Sequence, residues 1–283
     1  MLIGLLSAGL QAEEPALSAR DILQQANQAV ASPFLYEEQV IVLTDGKQHR
    51  NVRQTRLYQR IDQHLQRFLM VFDSPSEIQG VAIRVLKQAE QVDTDLYLPA
   101  LTGRLIPTGE GTSQAGLLGT DLILSDLIAV DFDLYEYELL KDLHLDEQQH
   151  YQIKATPISR SGNEQPLNTR YYLVRKDIGR VTRTEEHDPQ GRVLRRRSEH
   201  QFVNYADHLW LPSMILIEDY KKNHQTLIKI KRRVLSADYV PAEVFSNQWL
   251  LTDQHKASTA QHLFNRISSS IIGQQRDAYV SQP

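Results

Sequence analysis

Between residues 36 and 235 this 283-residue chain keeps returning to stretches in which apolar and polar residues alternate. A period of two belongs to a strand with one covered and one uncovered face, and no helix satisfies it. Segments 36–44, 50–61, 66–72, 81–87 and 92–98 form one such group, and a second runs from 135 to 235. Short polar links separate the segments, and Asp45-Gly46 and Asp188-Pro-Gln-Gly191 are turn sequences by composition. The pattern predicts a mainly β, antiparallel meander of about 10–11 strands, long enough that it must curl or split.

Helices are few. Ser18-Ala-Arg-Asp21 reads as a capping box, and Ile22, Ala26, Ala29 and Val30 then recur at helical spacing until Ser32-Pro33. Residues 103–119 hold five glycines and read as a long mobile loop leading into a short helix over 120–127. Two helices are little cover for so many strands. The sheet must therefore fold over itself as a packed sandwich, or curl around a cavity lined by aliphatic side chains.

Alternation also assigns faces. In 81–87, Val81, Ile83 and Val85 share one side and Ala82, Arg84 and Leu86 the other. In 226–235, Ile228, Ile230 and Val234 oppose Lys229, Lys231 and Arg233. The strand 192–203 is expected to turn Leu194 and Phe202 inward and Arg195, Arg197 and Glu199 to solvent.

A net charge of −4 argues against nucleic acid as a partner. With no cysteine, the sequence offers no disulfide, thiolate metal site or Cys nucleophile, and a lipidated N-terminal cysteine is not expected. Residues 1–12, an apolar run ending in small residues before Glu13-Glu14-Pro15, read as a signal peptide's h-region and cleavage site, though no Lys or Arg precedes them. Residues 13–251 then form one domain. Residues 252–283 are an extension in which Ala260, Leu263, Phe264, Ile267 and Ile271 keep the spacing of an amphipathic helix.

Several motifs resemble the LolA-like family of outer-membrane lipoprotein-sorting proteins. They are Phe68-Leu-Met-Val-Phe-Asp-Ser-Pro75 with Gly80, Asp95-Leu-Tyr-Leu-Pro-Ala100, Arg104, Gly116-Leu-Leu-Gly-Thr-Asp-Leu-Ile-Leu-Ser-Asp-Leu127 and the late Tyr239-Val-Pro-Ala-Glu-Val-Phe245. The resemblance implies an open half-barrel with helices as a lid, a periplasmic location, an apolar cavity for the acyl chain of a lipid or lipoprotein, and no catalytic residue, metal or cofactor. It also raises an RND-type inner-membrane exporter as a partner. On that basis Leu69, Val71, Val81, Ile83, Val85, Leu96 and Leu98 are expected to line the cavity floor, with Leu117, Leu118, Leu122 and Ile123 as the lid. Two other readings are a lipid-sensing protein-interaction module and an enzyme on the same scaffold.

Other polar clusters give weaker signals. His144, Asp146 and His150 lack a zinc-site spacing and read as exposed strand and turn residues. Glu185-Glu-His-Asp188 reads as a solvated hairpin tip, and Arg195-Arg-Arg197 and Lys229-Ile-Lys-Arg-Arg233 as a solvated convex face or a contact for anionic head groups. Gly109-Glu-Gly111 lacks the lysine of a phosphate loop.

Overall fold

The computed structural model describes residues 17–28, 32–63, 65–89, 91–99, 104–107, 116–128, 131–158, 167–206 and 209–251. The expected signal peptide, the extension 252–283 and the glycines at 103, 109 and 111 lie outside the described residues.

The strands are β1 (Phe34–Thr44), β2 (Arg50–Asp62), β3 (Leu65–Ser74), β4 (Ala82–Gln88), β5 (Gln91–Leu98), β6 (Arg104–Pro107), β7 (Tyr135–Leu139), β8 (Leu143–Leu145), β9 (Gln148–Pro157), β10 (Thr169–Arg175), β11 (Arg180–His187), β12 (Val193–Asn204), β13 (Trp210–Asp219) and β14 (His224–Val234). They form one 14-stranded antiparallel sheet in the order β6-β5-β4-β3-β2-β1-β14-β13-β12-β11-β10-β9-β7, with β8 also on β9. The sheet is not closed, so the fold is the expected open half-barrel. It holds more strands than expected, and β6 and β8, of four and three residues, are too short for a period to show.

The order explains the shape. The chain winds outward from β1 to the edge at β6, crosses to the opposite edge at β7, and winds back until β14 pairs with β1. The crossing segment must traverse one face of the sheet. It does so on the inner face, where Leu117, Leu118, Leu122, Leu124, Leu127 and Ile128 pack on Met70, Phe72, Ile83, Val85 and Ile228.

Helix α1 (Ala19–Gln28) starts as the sequence predicts: the Asp21 carboxylate accepts from the Ser18 N–H at 3.2 Å, and Ser18 Oγ accepts from the Asp21 N–H at 3.2 Å. Its buried side, Ile22, Leu23 and Ala26, joins Ile153 and Val174 of β9 and β10. The helix expected over 120–127 is not formed. Two single 3-10 turns, Leu117–Gly119 and Leu124–Asp126, stand in its place, because Asp121 bonds to Thr226 of β14 and the Thr120 hydroxyl donates back to the Leu117 carbonyl rather than capping a following turn.

The outer face is covered too across β1 to β5, against the expectation of a wet side, while Lys229 and Lys231 of β14 stay exposed. The segment 237–245 and helix α2 (Asn247–Leu251) lay Val240, Val244, Phe245, Trp249 and Leu250 on Tyr36, Tyr58, Leu69, Val71, Ala82 and Tyr97. Arg84 fastens this cover by donating to the Phe245 carbonyl at 2.8 Å and Asn247 Oδ1 at 2.7 Å.

Candidate functional site

The register of β3 against β4 divides the expected floor. Met70 pairs with Ile83 and Phe68 with Val85, on the inner face, whereas Leu69 pairs with Arg84 and Val71 with Ala82, on the outer. Leu69 and Val71 therefore pack under Trp249 and Leu250, away from any inner cavity. Where both faces of a strand are covered, hydrophobicity loses its alternation, and 68–72 reads Phe-Leu-Met-Val-Phe. Ile83, Val85 and Leu96 are brought together with Leu117, Leu118 and Leu122 on the inner face. Val81 and Ile123 are buried and Leu98 half-buried outside that cluster.

Beside this cluster, under α1 and the turn at 125–128, lies a cavity of about 340 Å³. Its apolar side is made by Leu23, Phe68, Val85, Leu127, Ile128 and Val181. Of the residues expected to form the site, Val85 alone lines it. The opposite wall is charged: Arg170, Arg180, Glu186, Arg195, Arg197 and Glu199, all on β10–β12.

This corrects the assignment of faces in β12. Arg197 pairs across the sheet with Ile217 and Glu199 with Ile215, both inner residues, so Arg195, Arg197 and Glu199 point inward, not to solvent. The charges are tolerable there because they pair: Arg197 with Glu199 at 2.8 Å and with Asp126 at 3.6 Å, and Arg170 with Glu186 at 3.3 Å. Sequence reasoning missed this wall because inward Arg-x-Arg-x-Glu has the same period as an outward one. The usable signal was that the other parity, Leu194, Arg196, Ser198 and His200, is hardly more apolar.

The crossing segment is fastened by polar bonds. Arg195 pairs with Asp126 and donates to the Asp121 carbonyl at 3.1 Å. The Asp121 carboxylate accepts from the Thr226 hydroxyl at 2.7 Å and lies 2.7 Å from His224 Nδ1, while Arg53 donates to the Leu118 carbonyl. Gly116 lets the segment fold this tightly, since a Cβ there would stand 1.9 Å from the Thr120 carbonyl oxygen.

The remaining clusters also differ from their sequence reading. His150 is buried, bonded through Nδ1 to the Gln148 carbonyl at 3.1 Å, not exposed. Glu185 is held by Arg196 at 2.8 Å and His187 at 3.1 Å, and Glu186 reaches the cavity, so this stretch is no solvated tip. Arg233 is buried against Glu37 at 2.6 Å. Among the described residues no group of His, Asp and Glu could hold a metal ion, and no helix is long and apolar enough to cross a membrane.

A family model whose description reads "Uncharacterized protein" matches residues 64–252. The chain belongs to that family. No curated protein matches it by sequence. Among solved structures it is similar to a domain from Vibrio parahaemolyticus described as outer membrane lipoprotein-sorting, with 17% identity, 83% of this chain and 98% of that one covered, and a TM-score of 0.73. A DUF1329 family protein from Desulfovibrio piger matches at 21% identity over 82% and 97% of the two chains, with a TM-score of 0.72. A LolA superfamily protein from Nitrosomonas europaea matches at 18% identity over 83% and 100%, with a TM-score of 0.61. The fold is LolA-like.

Proposed function

We propose that this protein is a carrier that shelters the acyl chain of a lipid or lipoprotein between its concave sheet and the crossing segment, without chemistry on the ligand. The observation that carries the reading is the cavity of about 340 Å³, roofed by α1 and residues 125–128 on the inner face of a LolA-like half-barrel. Each methylene sheltered from water contributes about 0.8 kcal/mol, so an acyl chain needs such cover to cross an aqueous compartment. In this scheme the compartment is the periplasm and the donor an RND-type exporter in the inner membrane.

Burial pushes the Tyr137 and Tyr172 hydroxyls in the cavity wall above their ordinary range. Native mass spectrometry of the purified protein, with solvent extraction of any ligand, tests the reading. Co-purifying lipid and saturable binding of a fluorescent fatty acid are expected, and Val85→Glu should reduce that binding at least about tenfold by placing a charge in the apolar wall. A folded Val85→Glu protein that binds as well as the wild type removes the cavity from the proposal.

A further inference from the structure

Five arginines and three carboxylates line the cavity, and the pairing leaves one cation over. Arg170 faces Glu186, Arg197 faces Glu199, and Arg195 shares Asp126 with Arg197. Arg67 is engaged by Asp62, which lies outside the lining. Arg180 lines the cavity and is 3% exposed, yet no carboxylate among the described residues forms an ion pair with it. Its Nη1 donates to the Ala26 carbonyl of α1 at 3.0 Å, while its buried Nε has no partner among the described residues.

Such an arrangement is costly. A guanidinium does not give up its proton in a protein, so it stays charged even where burial works against it, and burying a charge without a counter-ion is among the least favourable things a fold can do. Burial, with Arg197 and Arg233 nearby, disfavours the charged form of Arg180, and Glu199 only partly opposes this. An anion entering the cavity relieves that condition. The same lining has a greasy part, made by Leu23, Phe68, Val85, Leu127 and Ile128. A volume of about 340 Å³ is at the small end for ligand pockets, enough for one slim ligand.

We propose that the cavity takes an amphiphile with an anionic head, a carboxylate or phosphate monoester, whose charge pairs with Arg180 while its chain lies against Phe68, Val85, Leu127 and Ile128. This deepens the carrier reading and rests on it. The head sits between β11 and α1, and the chain runs toward β3 and β4 beneath residues 127 and 128.

The test titrates the full-length protein with a fluorescent fatty acid, the methyl ester of the same compound and a fluorescent lysophosphatidic acid, with inorganic phosphate as competitor. The fatty acid or the lysophosphatidic acid should bind at least about tenfold tighter than the ester, the scale of one charge-assisted hydrogen bond, and the tighter of the two identifies the head. Arg180→Met should bring that ligand down to the ester's affinity, and Arg180→Lys should keep part of the preference. Equal binding of acids and ester to the wild type overturns the anionic head and leaves the carrier reading standing. Absence of binding by all three overturns both. Displacement of the fatty acid by inorganic phosphate alone, at equal affinity, overturns the amphiphile in favour of a free-anion site. Should Arg180→Met fail to melt cooperatively, the acid-to-ester ratio of the wild type decides by itself.

Discussion

At the scale of single residues, the inner face is unusual for how many charges it accepts. Glu37 and Arg233 are both nearly sealed from water, and Arg233 also donates to the Pro212 carbonyl at 2.8 Å. Removing one member strands the other, so Arg233→Met should cost about 3–5 kcal/mol in urea unfolding, and adding Glu37→Gln should recover much of the loss. Equal stability of the single and double variants would contradict the pairing. His150 makes a pH-dependent contribution. Burial holds its folded pKa below the unfolded value of 6.5, so the unfolded chain binds the proton first. Its contribution to stability is therefore complete above pH 6.5 and declines as pH falls from there toward the folded pKa. Melting temperature should drop between pH 7.5 and 5.5 in the wild type, and a His150→Leu protein should lose part of that slope. The depressed carboxylates Asp177, Glu185 and Asp188 act in the same direction but lower, as pH falls through their own range.

Among the elements, the crossing segment and α2 are fastened in different ways. The crossing segment depends on polar bonds at Asp121 and Asp126 and on a backbone that enters the left-handed region at Leu118 (φ 50°) and Gly119 (φ 77°). Gly116→Ala forces a methyl into the Thr120 carbonyl. The expected result is faster proteolysis within 116–128, with urea unfolding of the sheet shifted by less than about 1–2 kcal/mol. Helix α2 depends on packing instead. Trp249 sits edge-on to Tyr58 with ring centroids 6.1 Å apart, and Trp249→Ala should destabilise by about 3–5 kcal/mol in the same measurement. A loss well below that range would show that α2 is not an integral cover of the outer face.

For the whole molecule, the strand order places the two chain ends of the sheet in its centre. β1 and β14 pair with each other, while the four-residue β6 and the three-residue β8 lie at or beside the outer limits. Amide hydrogen exchange should be slowest across β2, β1, β14 and β13 and should quicken toward both limits, because central strands open only with the sheet and edge strands fray. Uniform protection from centre to edge would contradict this. The same topology sends the chain from one edge to the other, and the leucines at 117, 118, 122, 124 and 127 pack that crossing segment on the inner face.

Local chemistry determined a good deal. Period-two alternation, the Asp45-Gly46 turn and the Ser18–Asp21 cap specify strands, hairpins and one helix start through interactions a few residues long, whereas the open half-barrel was implied only by the motifs' resemblance to the LolA-like family. The structure packs Leu117, Leu118 and Leu122 against Ile83, Val85 and Leu96, segments the family resemblance had named together. Tertiary structure alone decided which side of each strand is inside. Leu69 and Val71 pack outward only because residues 240–250 return to cover them, and Arg195, Arg197 and Glu199 face inward only because they pair along β12 and with Asp126 of the crossing segment. A residue's parity records that two faces differ, and long-range pairing determines which of the two meets water.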